Sequence, residues 1–183
     1  MATTKARIKE QITKLGKVSL WGVKKELRDL PTKIDEDEEV LGLLRAFTKE
    51  LTIVLLVATQ KRFFILDRRA FYGGANKEIS YLTIANVRHQ MGLFFGEIII
   101  DDQGEDHRFI YAYKSDLRKF VDILGDKVSE YREKSVEANN QYLSTADELK
   151  KLWDLKEKGA ITEEEFREQK RRLMTGGAGA GSK

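Results

Sequence analysis

Residues 51–67 read LTIVLLVATQKRFFILD. Two apolar runs, Leu51–Ala58 and Phe63–Leu66, are separated only by Thr59-Gln60-Lys61-Arg62. Each run is shorter than a usual globular helix and rich in β-branched and aromatic residues, which predicts a pair of strands. The chain from Glu38 to Tyr113 is expected to complete a sheet around that pair.

Candidate strands are Val40–Thr48, Leu51–Ala58, Arg62–Arg68, Lys77–Leu82, Val87–Met91, Phe94–Asp101 and Arg108–Tyr113. The gaps carry turn chemistry: Gly73-Gly74-Ala75-Asn76, Met91-Gly92 and Asp102-Gln103-Gly104. Seven short antiparallel strands at this spacing predict a sandwich or a partly open barrel, within an α+β chain.

Residues 1–30 form a basic arm, with eight basic and three acidic side chains. Ile8, Ile12 and Leu15 recur at helical spacing, as do Leu20, Val23, Leu27 and Leu30, and Gly16 separates two short helices. Two uses of this arm stand side by side. Its apolar stripe can dock on the sheet and leave the lysines solvated. Alternatively, Lys5, Lys9, Lys14, Lys17, Trp21, Lys24 and Lys25 can face an anionic membrane. Pro31 ends the arm, and the run Asp35–Glu39 reads as a solvated lead-in to the first strand. That run lacks the Gly and terminal Glu of a calcium loop.

A long helix is expected from Ser115, its N-cap, with Asp116 in the first turn. Leu117, Phe120, Val121, Leu124, Val128 and Tyr131 form its apolar stripe, which fades beyond Glu133. Residues 31–132 are therefore assigned to the barrel with the start of its capping helix, and 133–142 to a helical connector. Residues 143–174 read as a helical hairpin. Thr145-Ala146-Asp147-Glu148 and Thr162-Glu163-Glu164-Glu165 are capping boxes, and Gly159 is placed as a C-cap. The tail 175–183 is a flexible Gly/Ala run.

The hairpin residues Leu149, Leu152, Leu155, Gly159, Ile161, Thr162, Glu165, Phe166, Lys170 and Leu173 closely resemble the SHOCT family, a short C-terminal domain of bacteria and phages. Residues from about Glu38 to Tyr131 resemble the bacterial pleckstrin-homology-like domains. The likeness lies in Thr59-Gln60-Lys61-Arg62-Phe63-Phe64-Ile65-Leu66 and in Ile79-Ser80-Tyr81-Leu82-Thr83-Ile84. It implies a seven-stranded, bent antiparallel sheet capped by a C-terminal helix. The relatives that hold inositol phosphates use a basic loop between the first two strands. Here that loop is Thr48-Lys49-Glu50, so the resemblance does not carry that ligand over.

The charge balance, 33 basic against 30 acidic residues, does not point to nucleic acid. Absence of cysteine removes disulfides and thiolate chemistry, and no secretory signal or spanning segment is read. These features predict a cytoplasmic protein, with the inner membrane surface as the alternative location. His89 and His107 could approach across paired strands, but two imidazoles need a further donor to hold a metal. Aromatics and arginines interleave at Lys61–Phe64 and Arg68–Tyr72, a pattern that can stack bases but in strands more often fills a core. No cofactor, metal or catalytic residue is assigned, and the expected class is non-enzymatic.

The hairpin carries the functional expectation. So short a segment cannot hide Leu149, Leu152, Trp153, Leu155, Ile161, Phe166 and Leu173 within itself. Those residues are the candidate surface for self-association or a protein partner.

Overall fold

The computed structural model describes residues 4–67 and 76–176. The elements are α1 (Thr4–Lys14), α2 (Lys24–Asp29), β1 (Val40–Phe47), β2 (Ile53–Thr59), β3 (Phe63–Asp67), β4 (Lys77–Ile79), β5 (Ile84–Met91), β6 (Phe95–Asp102), β7 (Glu105–Tyr113), α3 (Lys114–Glu157) and α4 (Glu163–Gly176). The Arg68–Tyr72 stretch, the Gly73-Gly74-Ala75 turn and residues 177–183 of the tail lie outside the described residues. The chain divides into two compact units, Met1–Tyr131 and Arg132–Lys183.

In the first unit the seven strands form one antiparallel sheet in the order β4-β3-β2-β1-β7-β6-β5. The sheet is open, with β4 and β5 as its edges. Phe47 opposite Ile110 joins its two halves. The tight β1–β2 connection places Leu51 in a turn at φ +59° rather than in the expected strand.

The continuous apolar reading of β1–β3 has a direct cause: both faces of these strands are covered. On one face Leu44, Leu56, Phe63 and Ile65 pack with Leu117, Phe120, Leu124 and Val128 of α3. On the other, Leu43, Leu55, Val57, Phe64 and Leu66 pack with Ile8, Val23, Leu30 and Ile34. The arm's apolar stripe thus docks on the sheet, with Ile8 fully buried. By contrast, β5 is mostly exposed, and its sequence carries Asn86, Arg88, His89 and Gln90.

Local chemistry explains where the arm breaks. Gly16 and Gly22 adopt φ +81° and +87°, a region glycine enters without the usual steric cost. Residues 15–23 therefore form an irregular link, and α2 begins only at Lys24. Trp21 sits in that link, not on a helix as its spacing suggests.

Two glycines let α3 lie close to the sheet. A Cβ at Gly42 would come within 3.2 Å of Ile123 and 3.3 Å of Phe120. A Cβ at Gly96 would meet Leu117 Cδ2 at 2.5 Å and the Gln90 carbonyl oxygen at 2.6 Å.

The helix α3 starts at Lys114, so Ser115 is not its N-cap; its hydroxyl donates instead to Asp116 Oδ1. The helix also runs unbroken through Thr145, so the first of the two capping boxes does not form. Residues 137–144 contain no Gly or Pro, and the Thr145 hydroxyl donates back to the Gln141 carbonyl at 3.0 Å, which lets a threonine stay inside a helix.

In the second unit the distal part of α3 and α4 form the hairpin. Gly159 (φ +70°) ends α3: its N–H reaches the Lys156 carbonyl and the Ala160 N–H reaches the Leu155 carbonyl, the paired bonds of a Schellman turn. Thr162 and Glu165 then cap α4 reciprocally, at 3.2 and 2.8 Å.

Gly96→Ala should lower stability by about 1–3 kcal/mol, since a backbone oxygen cannot move aside cheaply. Chemical denaturation of the full chain checks this; an unchanged midpoint would contradict the packing described.

Candidate functional site

Three places in the described residues carry unusual chemistry. The first is a polar knot at the β2–β3 turn. Glu38, completely buried, accepts from Arg62 Nε at 3.2 Å and Nη2 at 2.9 Å, from the Thr59 hydroxyl at 2.6 Å and from the Asp35 N–H at 3.0 Å. Arg62 Nη1 also reaches Glu78 at 2.7 Å, and Lys61 pairs with Asp35 and Asp37. The Tyr81 hydroxyl donates to the Thr59 carbonyl at 2.6 Å, and Tyr131 to the Gln60 carbonyl at 3.0 Å. Burial alone would push the Glu38 carboxyl up, but hydrogen bonds from Arg62 and Thr59 outweigh it and hold it below its usual value. Glu38 is therefore the exception in the acidic run: Asp35, Glu36, Asp37 and Glu39 are exposed, as expected of a solvated lead-in, whereas Glu38 turns inward. Thr59, Arg62 and Tyr81, which carry the family signature, serve the architecture of the turn. Phe63 and Phe64 are buried and Arg62 is committed to carboxylates, so this part of the basic-aromatic stretch offers no base-stacking surface.

The histidines do not converge. His89 is exposed on β5 and His107 sits on β7, with β6 between them. His107 Nε2 lies 2.7 Å from Lys77 Nζ, and burial together with that ammonium pushes its pKa down. No group of three or more His, Asp or Glu that could hold a metal occurs among the described residues.

The second place is an aromatic patch on the sheet. Opposite Glu97 of β6, β7 presents two residues, Ile110 and Tyr111, because the register jumps between Gly96–Ala112 and Ile98–Phe109. This bulge sets Tyr111 at φ +53° and resets the inside–outside alternation. Phe109 and Ala112 point to the core, whereas Tyr111 and Tyr113 are both exposed. Their rings join a closed circuit. Phe47 contacts Tyr111 at 6.1 Å, Tyr111 contacts Phe95 at 6.4 Å, and Phe95 contacts Tyr113 at 5.0 Å. The Arg45 guanidinium closes it, 5.0 Å from the Phe47 ring and 5.4 Å from the Tyr113 ring. Arg45 is only 6% exposed, and its Nε is buried without a hydrogen-bond partner. Next to Phe95, the β5–β6 turn exposes Leu93 (80%) and Phe94 (70%). A depression of about 330 Å³ lies between Gln90, Phe95, Glu97 and Tyr111. Simple alternation along β7 cannot reveal this patch; the run Met91-Gly92-Leu93-Phe94-Phe95 at a turn is the signal that could have.

The third place is the hairpin. Of the seven candidate residues only Phe166 is buried, against Trp153 at 5.8 Å, with Lys156 Nζ over both rings. Leu149, Leu152, Ile161 and Leu173 are half-buried, and Trp153 and Leu155 are exposed (50% and 41%). Leu149 and Leu173 border a cleft of about 410 Å³ with Ala138, Tyr142, Ala146 and Met174.

Of the arm's candidates, Lys5, Lys9, Lys14, Lys17 and Lys24 are exposed and Lys25 is half-buried. Lys14 pairs with Glu10 at 2.9 Å. Trp21 remains 75% exposed. No helix among the described residues is long and apolar enough to cross a membrane.

A family model described as bacterial PH domain matches residues 34–126. The chain belongs to this family. The short C-terminal domain, SHOCT, matches residues 147–174. A pleckstrin homology domain from Shewanella amazonensis SB2B is similar in structure, at 19% identity over 48% of this chain and 80% of that one, with a TM-score of 0.35. A duf1696 family protein with a pleckstrin-homology domain from Shewanella loihica PV-4 is 15% identical over 61% of this chain and 99% of that one, with a TM-score of 0.39. No curated protein matches the chain. The pairing of a PH domain with a SHOCT domain suggests a non-enzymatic interaction module.

Arg62→Met should cost about 3 kcal/mol, because it strands a buried carboxylate, whereas Glu38→Gln with Arg62→Met should cost less than the two changes added. Since Glu38 titrates lower in the folded state, its contribution is present at neutral pH and disappears as pH falls below about 4. Denaturation midpoints from pH 7 to pH 3 should therefore fall more steeply for the wild type than for Glu38→Gln; parallel curves would contradict the assignment.

Proposed function

We propose that this PH domain protein is a non-enzymatic assembly module whose C-terminal hairpin binds a second copy of the chain. One observation carries the reading: the hairpin leaves most of its motif side chains partly or largely uncovered although its turn and caps are fully formed. A segment that is locally well specified yet half-solvated is suited to finish its core on a partner. A second copy fits because the hairpin offers both a cleft, walled by Tyr142, Leu149 and Leu173, and exposed knobs outside it, Leu143 and Leu155. Self-complementary surfaces of this kind close into a two-fold dimer. Burying each such side chain contributes roughly 1.5–3 kcal/mol.

A second reading rests on Trp21. It is exposed on the link between α1 and α2 and flanked by exposed Lys17 and Lys24, a combination suited to the interface of an anionic bilayer. In this reading the module is a peripheral membrane adaptor. The apolar stripe of α1 takes no part, because it is spent on the sheet.

Sedimentation equilibrium of the full chain should give a mass above that of the monomer, and Tyr142→Ser with Leu155→Ser should weaken association by at least about tenfold. A wild type that stays monomeric at high concentration would end the assembly reading. Co-sedimentation with phosphatidylglycerol vesicles that depends on Trp21 would favour the adaptor instead.

A further inference from the structure

The Arg45 patch belongs to the PH unit and plays no part in the hairpin reading. Burying a guanidinium is costly unless an anion or several acceptors compensate it. Glu38 and Arg62 meet that requirement in each other, in the segments leading into β1 and β3. Arg45 does not: among the described residues it forms no ion pair, and its Nε has no acceptor. Two aromatic rings attract its charge but offer its buried Nε–H no oxygen. Around it the fold spends further free energy. A tyrosine at φ +53° is a strained conformation that places Tyr111 beside Phe47 and Phe95. Leu93 and Phe94 then stand in solvent at the neighbouring turn. An arginine among tyrosine and phenylalanine is the composition of a binding hot spot.

We infer that this patch docks a peptide segment of a protein partner whose carboxylate pairs with Arg45 while an adjacent aromatic or leucine side chain packs against Phe94, Phe95 and Tyr111. The chemistry of the site favours a carboxylate over a phosphate. The circuit contains one cation, which matches a single negative charge, whereas a multiply charged phosphate calls for several converging donors. Arg45 is also deep, so the anion must arrive on a slim side chain or a chain terminus. The guanidinium fork suits a planar two-oxygen acceptor. The exposed apolar pair at the turn supplies the second anchor that a carboxylate alone would lack.

The probe is N-acetylphenylalanine, a carboxylate beside an aromatic ring, compared with its uncharged amide on the ¹⁵N-labelled full chain. The acid should shift the Arg45 Nε–Hε resonance and bind about tenfold or more tighter than the amide, the ratio expected for a charge-assisted hydrogen bond. Arg45→Gln should reduce the acid to the affinity of the amide, and Phe94→Ser, at an exposed turn where folding is not at stake, should weaken both compounds together. Equal binding of acid and amide, or no movement of the Arg45 resonance at millimolar acid, overturns the inference. So does a response of that resonance to phosphatidylglycerol vesicles or inorganic phosphate but not to the acid. The acid-to-amide comparison needs no substitution, so a poorly folded Arg45→Gln variant leaves the test decisive.

Discussion

The PH unit depends on β1–β3 being covered on both faces. Each strand must find partners above and below, so the sheet cannot be stable with the capping helix alone. The helix α3 supplies one cover and the arm the other. Dispersion and the removal of apolar surface from water act on both sides at once, and the strands can then be apolar at consecutive positions without exposing a greasy face. The basic lysines of the arm are what remains on the solvent side of that cover.

That constraint also governed what could be read from sequence. The unbroken apolar runs in 51–67 marked strands correctly, and the helical spacing of Ile8, Val23 and Leu30 marked their outer cover. Gly159 and the Thr162–Glu165 box located the hairpin turn, because caps are local and their chemistry is written in adjacent residues. Thr145 misled for the complementary reason. A capping box needs a chain that is ready to stop, and residues 137–144 contain nothing that halts a helix. Glu38 looked like one acid among five, and only the long-range meeting with Arg62 and Thr59 distinguishes it.

The aromatic patch was the least legible part. Period-two reading assumes a regular strand and puts Tyr111 and Tyr113 on the inward face with Phe109; one extra residue in β7 shifts that alternation, so Ala112 joins Phe109 in the core and both tyrosines are exposed. Arg45 gave no warning either, since a single arginine in an apolar strand is ordinarily paired. The contrast between a half-buried arginine bound by carboxylates and a buried one set against two aromatic rings emerges in three dimensions alone. The first stiffens a turn, and the second keeps a buried Nε–H that no acceptor among the described residues meets.

The match to the PH family spans residues 34–126, yet Ile8, Val23 and Leu30 precede it and Val128 and Tyr131 follow it. The cooperative folding block is therefore larger than the similarity that identifies it. A fragment trimmed to the recognisable span would strip Leu43, Leu55, Val57 and Phe64 bare, and its stickiness would report surgery on the molecule rather than any natural partner.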